Sequence, residues 1–295
     1  MAATTNIEWA DGTANFWMGC TKLSPACDWC YAERDWDKRR HRVTWGPHGE
    51  RVPVKAGDLV IRKHQRHAAA FIAEHGRKPR IFINSLSDFA DNHRSIDPRW
   101  REAVWQAARD CPDVILMILT KRPQNLPDYL PADWGQGYPN VWIGTTVENQ
   151  AEADRRREHL RVVPAIVRFV SYEPALGPVD WVGWEFIKWL IAGGESGPNA
   201  RPSHPDWYRS AQKWTLKAGA AFHFKQWGEW LPRENEHWDY HGDEATVLPD
   251  GRVRQWQPDY PHGRLTHPQM RPMIRIGKAK AGRLLDGREW SEFPA

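Results

Sequence analysis

From residue 79 onward the chain alternates short runs of apolar, mostly β-branched residues with stretches of helical periodicity, and each run ends in polar residues. The runs cover residues 80–84, 114–119, 141–143, 166–170, 189–192 and 221–224, and residues 15–18 ahead of them add a seventh. Continuous apolar runs this short read as strands covered on both faces, the arrangement of parallel sheets. Between them, Asp97 stands as a helix cap with Pro98 at the first helical position, and Trp100, Val104, Trp105 and Ala108 recur at helical spacing. Asp206 is expected to open a further helix, with Trp207, Ala211, Trp214 and Ala218 along one face and Gly219 closing it. The polar stretch 148–160 makes another, ending before Pro164. Strand, helix, strand repeated in this way predicts an α/β fold, either a partial or full parallel (β/α) barrel or an open sheet joined by right-handed crossovers.

After Gly228 the pattern changes. Residues 229–262 are dense in Trp, Pro, His, Asp and Gly, with strand-like scraps at 245–248 and 252–256 that suggest a hairpin around Pro249-Asp250-Gly251. The expected organisation is a barrel over residues 1–228 and an irregular, basic C-terminal extension over 229–295 packed on it. Residues 261–295 carry seven Lys or Arg against three Asp or Glu, including Arg275, Lys278, Lys280, Arg283 and Arg288. Those charges suit either phosphate contacts or local ion pairs.

Composition narrows the class. A chain of 295 residues can bury a full core without a disulfide framework. Its net charge of +4 permits nucleic-acid binding without demanding it. Nineteen tryptophans supply flat faces that mostly belong in a core but can also stack nucleobases. The N-terminus lacks a basic stretch followed by an apolar core, and no run of eighteen apolar residues occurs. The expectation is therefore a soluble cytoplasmic protein with no membrane partner.

In a parallel barrel the active site is built at the carboxyl ends of the strands. Here those ends are Asn84-Ser85-Leu86-Ser87-Asp88, Thr120-Lys121-Arg122, Thr145-Thr146-Val147-Glu148-Asn149, Ser171-Tyr172-Glu173, Gly193-Gly194-Glu195-Ser196 and Lys225-Gln226. Any one of them can be a solvated strand end or a helix cap, whereas six aimed at one rim point to a site. Lys121, Arg122, Glu195 and Lys225 carry charge suited to an anionic or zwitterionic ligand. Gly193-Gly194 is too short to specify a phosphate loop and marks a tight turn equally well. The run Lys38-Arg39-Arg40-His41-Arg42 reads as a solvated helix end or, less readily, a phosphate contact.

Cys20, Cys27 and Cys30 lie within eleven residues, the last two as Cys27-Asp28-Trp29-Cys30. Three thiolates are one short of a closed zinc site, while a 4Fe-4S cluster held by three cysteines leaves one iron open to a ligand. On the cysteines alone, zinc completed by His41 or His48 and an iron-sulfur cluster stand level. Cys111, between a helix and an apolar run, reads as a core thiol.

Three closely spaced cysteines, an aromatic residue before the last, and a following α/β barrel resemble the radical S-adenosylmethionine (SAM) enzymes, with a first gap of six residues where three is usual. The segments Asn6-Ile7-Glu8-Trp9, Gly19-Cys20-Thr21-Lys22 through Tyr31-Ala32-Glu33, Asn84 to Asp88, Leu119-Thr120-Lys121-Arg122-Pro123, Gly193 to Gly197 and Gly282-Arg283-Leu284-Leu285-Asp286-Gly287-Arg288 are together similar to a phage-associated family of three-cysteine proteins. The resemblance implies a radical SAM fold and, through kinship with phage enzymes of thymine hypermodification, remodelling or isomerisation of a glycinyl-type substituent on thymidine. It implies a 4Fe-4S cluster on Cys20, Cys27 and Cys30, and SAM near Ser85, Ser87 and Asp88, with Thr146 and Glu148 at its ribose or carboxylate and Trp29 on its adenine side. Lys121, Tyr172, Glu173, Glu195 and Lys225 then become candidate catalytic, substrate-side residues. Implied partners are DNA or a modified thymidine nucleotide and an electron donor such as flavodoxin or ferredoxin, in the host cytoplasm if the chain is phage-encoded. Two other readings stay open: a radical SAM enzyme acting on a peptide or small metabolite, and a zinc-stabilised nucleic-acid-binding protein.

Overall fold

The computed structural model describes residue 5 and residues 7–233, 242–255 and 269–294. Seven strands form one sheet: β1 (Gly12–Ala14), β2 (Arg80–Ile83), β3 (Ile115–Thr120), β4 (Val141–Thr146), β5 (Val167–Tyr172), β6 (Trp189–Gly193) and β7 (Ala221–Gln226). Each lies beside its successor in chain order, and the registers of β1 with β2, β2 with β3, β3 with β4 and β6 with β7 are parallel. Nothing pairs β1 with β7 among the described residues, so the sheet is open, as in a partial barrel rather than a full one. Apolar sequence dictates the arrangement: every position of β2 and β4 is buried, and Leu116, Met117 and Ile118 of β3 are fully enclosed. Each such side chain contributes about 1.5–3 kcal/mol on burial.

The first strand differs from the sequence expectation. Gly12–Ala14 joins the sheet, whereas Trp17–Met18 pairs antiparallel with Val52–Pro53 in a separate ribbon. Asparagine amides cause the break. Asn15 Oδ1 accepts from the Leu86 amide at 2.8 Å and Asn84 Oδ1 accepts from the Phe16 amide at 2.9 Å, so side chains replace the ladder. Asn84 sits at φ 60°, a left-handed conformation that asparagine tolerates better than most residues.

The helices are α1 (Gly57–Arg66), α2 (Ala68–His75), α3 (Pro98–Asp110), α4 (Gln150–Arg161) and α5 (Pro205–Ala218). Asp97 caps α3 through the Arg99 amide at 2.9 Å, with Pro98 in the first position. The start of α5 is shifted from the expected Asp206: His204 is its cap, accepting at Nδ1 from the Asp206 amide at 3.2 Å, because Pro205 is pre-set for the first helical position. Gly219 ends α5 in the left-handed conformation.

Two compact units make up the chain, one comprising Met1–Thr146 and Arg155–Val170, the other Val147–Asp154 and Ser171–Ala295. Tryptophan builds both interiors. In the first unit Trp17, Phe89, Trp105 and Trp134 form a chain of ring contacts at 5.2–5.9 Å. In the second, Tyr208 contacts Phe224 and Trp227 at 4.9 and 5.4 Å. Cys111 is buried, as expected for a core thiol.

The tail is more regular than its composition suggests. Strands β8 (Trp230–Pro232), β9 (Glu244–Val247), β10 (Val253–Gln255) and β11 (Arg271–Arg275) form an antiparallel sheet in the order β8-β11-β9-β10, followed by the short helix α6 (Lys278–Ala281). The expected hairpin is β9 with β10, although Trp256 lies outside the described residues. Among the described residues no helix is long and apolar enough to cross a membrane.

Candidate functional site

The cysteine loop is anchored at the carboxyl ends of β1 to β3. Gly19, at φ 101°, donates its amide to Leu86 O at 3.1 Å and bridges Ser87 in parallel register, which sets Cys20 beside the segment that follows β2. A Cβ on Gly19 would stand 2.9 Å from Val43 Cγ2, so this approach requires glycine. Cys20 O accepts from the Gly46 amide at 2.9 Å. Cys27 closes a short 3-10 turn, Pro25–Cys27. Cys30 packs against the apolar cluster of Met18, Ala32, Val43 and Leu86 and leads into a π-helical segment, Glu33–Arg39, a wide-turn form frequent at functional sites.

Behind Cys20 lies a buried network of two acids and two arginines. The Asp88 carboxylate accepts from Ala90 N at 3.0 Å, Lys121 N at 2.9 Å, Arg122 Nη1 at 2.9 Å and the Thr120 hydroxyl. Arg122 Nη2 donates to Thr21 O at 2.8 Å, and Nη1 also lies 3.8 Å from Cys20 Sγ. Arg51 donates to Asp91 Oδ2 from Nε at 2.8 Å, to Gly46 O and Gly49 O from Nη1, and to Thr21 Oγ1 from Nη2. Burial pushes the Cys20 thiol up to about 12, with the Asp88 charge adding to it and Arg122 opposing. Burial raises Cys30 as well, against amide hydrogen bonds from residues 33 and 32 and the charge of Lys121. Both thiols therefore hold their protons unless a cation binds them.

Ser85, Ser87, Asp88, Lys121, Trp29 and the three cysteines all fall in the first unit. Ser85 Oγ accepts from Asn15 Nδ2 at 3.1 Å, and the Tyr31 hydroxyl donates to Ser85 O at 2.6 Å. Ser87 Oγ is enclosed with no hydrogen-bond partner among the described residues. Trp29 and Tyr31 are about half exposed beside Cys30. The Asp88 carboxylate oxygens take four protein donors. Thr146 is buried, with its carbonyl accepting from Arg156 Nη1 at 2.8 Å.

Glu148 and the remaining candidates belong to the second unit. Glu148 is fully buried. The Tyr172 hydroxyl donates to Gly177 O at 2.5 Å and is fully enclosed, so its phenol titrates well above the usual range through burial and serves packing here. Lys225 Nζ and Glu173 Oε1 form a mostly buried ion pair at 2.5 Å. Glu195 is clamped by Arg201, which donates from N, Nε and Nη2 at 2.6–2.8 Å. The glycines beside it are structural. A Cβ on Gly194 would stand 1.9 Å from Trp227 O, and one on Gly228, at φ 80°, would stand 2.1 Å from Glu195 O. Sequence reasoning flagged Arg122 only as a charge and missed Arg51 and Asp91, which carry no motif and gain meaning only from their partners.

One comparison with known proteins decides the family: the model described as "Protein of unknown function (DUF5131)" matches residues 4–294. The chain belongs to that family. No curated protein and no solved structure matches it. For this DUF5131 member, metal chemistry must therefore be judged from its own donor set. Among the described residues no three His, Cys, Asp or Glu side chains lie close enough to hold a single ion, and neither His41 nor His48 completes one. A cubane asks for something else, because its thiolates bind different irons and stand further apart than the ligands of one ion. Cys20, Cys27 and Cys30 supply the soft thiol donors such a group takes, and Arg122 Nη1 stands 3.8 Å from Cys20 Sγ.

Proposed function

We propose that this DUF5131 protein is a radical SAM enzyme with a 4Fe-4S cluster on Cys20, Cys27 and Cys30, acting on a glycinyl-type substituent of thymidine as an isomerase. The observation that carries the reading is the three-thiol loop fixed at the carboxyl ends of the first strands of a parallel sheet. When bound, cluster and SAM supply a 5'-deoxyadenosyl radical that removes a hydrogen atom from substrate. The chain's own residues orient and shield. The enclosed Ser87 hydroxyl offers a hydrogen bond, Lys121 brings positive charge towards Cys30, and Trp29 offers an exposed ring face.

The substrate part of the reading rests on the resemblance to thymine-hypermodification enzymes. A base inside duplex DNA must be flipped out to reach a barrel-end site, at a cost of a few kcal/mol, whereas a nucleotide or a single strand need not be. An electron donor of flavodoxin or ferredoxin type is part of the proposal. Anaerobic reconstitution followed by iron, sulfide and zinc analysis tests it, with about four irons per chain expected. Alanine at Cys20, Cys27 or Cys30 should abolish the iron and Cys111→Ala should retain it. With dithionite and SAM, release of 5'-deoxyadenosine should follow. Stoichiometric zinc without iron would instead favour the zinc-stabilised nucleic-acid-binding reading.

A further inference from the structure

We propose that Arg122 sets the reduction potential of the group bound at Cys20, with Asp91 as its electrostatic counterweight; this rests on the cluster reading above. Arg122 Nη1 points at Cys20 Sγ from 3.8 Å, within hydrogen-bonding range for a sulfur acceptor. The guanidinium cannot swing away. Its side chain is only 8% exposed, and Asp88 Oδ2 and Thr21 O hold its two terminal nitrogens at 2.9 and 2.8 Å. Asp91 Oδ1 lies 3.9 Å from Arg122 Nε, and Asp91 is itself locked to Arg51 at 2.7 Å with both side chains almost fully buried.

A donor on a ligating sulfur, and positive charge behind it, stabilise the electron-rich reduced state more than the oxidised one and so raise the potential. A buried carboxylate nearby does the reverse. Arg122 and Asp91 therefore act on the same sulfur with opposite sign, and the low local dielectric keeps both effects from being screened away. Arg122 is a positioning residue in this account: it reaches the chemistry through Cys20.

The test is a potentiometric titration, followed by electron paramagnetic resonance, of the reconstituted full chain and of Arg122→Gln, Arg122→Lys and Asp91→Asn, with iron and sulfide measured on the same samples. Arg122→Gln should shift the one-electron reduction equilibrium about tenfold towards the oxidised form, about 59 mV more negative. Asp91→Asn should shift it the other way, and Arg122→Lys should fall between Gln and the wild type. General damage to the site would move all variants in one direction, so opposite signs carry the result. Unchanged potentials, or shifts of one sign, at normal iron content overturn this inference and leave the cluster reading standing. A wild type that takes up no iron and sulfide overturns both. If Arg122→Gln does not fold, the signs of Arg122→Lys and Asp91→Asn decide.

Discussion

Replacing Asp88 by asparagine separates a structural carboxylate from a ligand-binding one. The carboxylate takes four protein donors, from Ala90 N, Lys121 N, Arg122 Nη1 and the Thr120 hydroxyl. Asparagine keeps one acceptor oxygen and turns an N–H towards a position where a donor already stands. Hydrogen bonds to a charged acceptor are worth about 1.5–3 kcal/mol each, and breaking one side of a buried ion pair costs about 3–5 kcal/mol. These terms overlap, so Asp88→Asn should lose about 3–5 kcal/mol of a total stability of about 5–15 kcal/mol. Urea unfolding of the metal-free chain, read by tryptophan fluorescence, measures this as a lower midpoint at unchanged slope. Adding Arg122→Met should recover part of the loss, because no unpaired charge then remains buried. A loss below about 1 kcal/mol together with abolished SAM binding would refute the argument and return Asp88 to the ligand.

Two further predictions follow from other parts of the chain. If DNA is the substrate, Lys278→Gln with Lys280→Gln should lower the salt slope of binding by about 0.9 per lost phosphate contact on duplex. An unchanged slope would remove α6 from the interface. Arg275 donates to Gly197 O and Pro198 O, Arg283 donates to Ser291, and Arg288 lies over the Trp290 ring, so replacing these would also break contacts within the chain. The second concerns pH. Burial lowers the affinity of His204 for a proton, with the hydrogen bond to Gln269 O and the Asp206 charge opposing and Arg271 and Arg209 reinforcing. Its folded value lies below 6.5, so its contribution is full above that pH and is lost as pH falls towards and through the folded value, at no more than about 1.4 kcal/mol per pH unit. His204→Asn keeps a good helix cap and should flatten stability between pH 7 and 5; a slope equal to the wild type would exclude His204 as its source.

Strands β2 to β7 were legible because each is an apolar run closed by polar residues, a signal that depends on local burial alone. β1 was misplaced by a few residues because its end is set by Asn15 and Asn84, whose amides act on backbone some 70 residues away in sequence. The tail sheet was only half legible. Its strands are three to five residues long and carry Pro and Arg, so their periodicity is too short to separate from loop. In the candidate site, the three cysteines stand out by spacing, while Arg51 and Asp91 are isolated charges until the fold puts them 2.7 Å apart.

The same limit applies to the acids at the strand ends, whose partners the letters alone do not give. Gly193-Gly194-Glu195 and Ser85-Leu86-Ser87-Asp88 both have the composition of ligand loops, yet their acids are occupied by arginines of the same unit, Arg201 in one case and Arg122 in the other. What distinguishes the two is the neighbour of the arginine. Arg201 holds Glu195 beside glycines required by backbone contact. Arg122 presents to Cys20 the same Nη1 that donates to Asp88, so the ion pair with Asp88 becomes the rigid mount of a donor aimed at a thiol. Breaking either pair should destabilise the fold, the more buried Arg122–Asp88 pair by more, but only the one behind Cys20 should also alter the chemistry of the bound group. An Arg201→Gln variant therefore serves as the control. It should lower the unfolding midpoint and leave the reduction potential where it is in the wild type, and a potential moved as far as in Arg122→Gln would show that the measured shifts report loosened structure and not the hydrogen bond to sulfur.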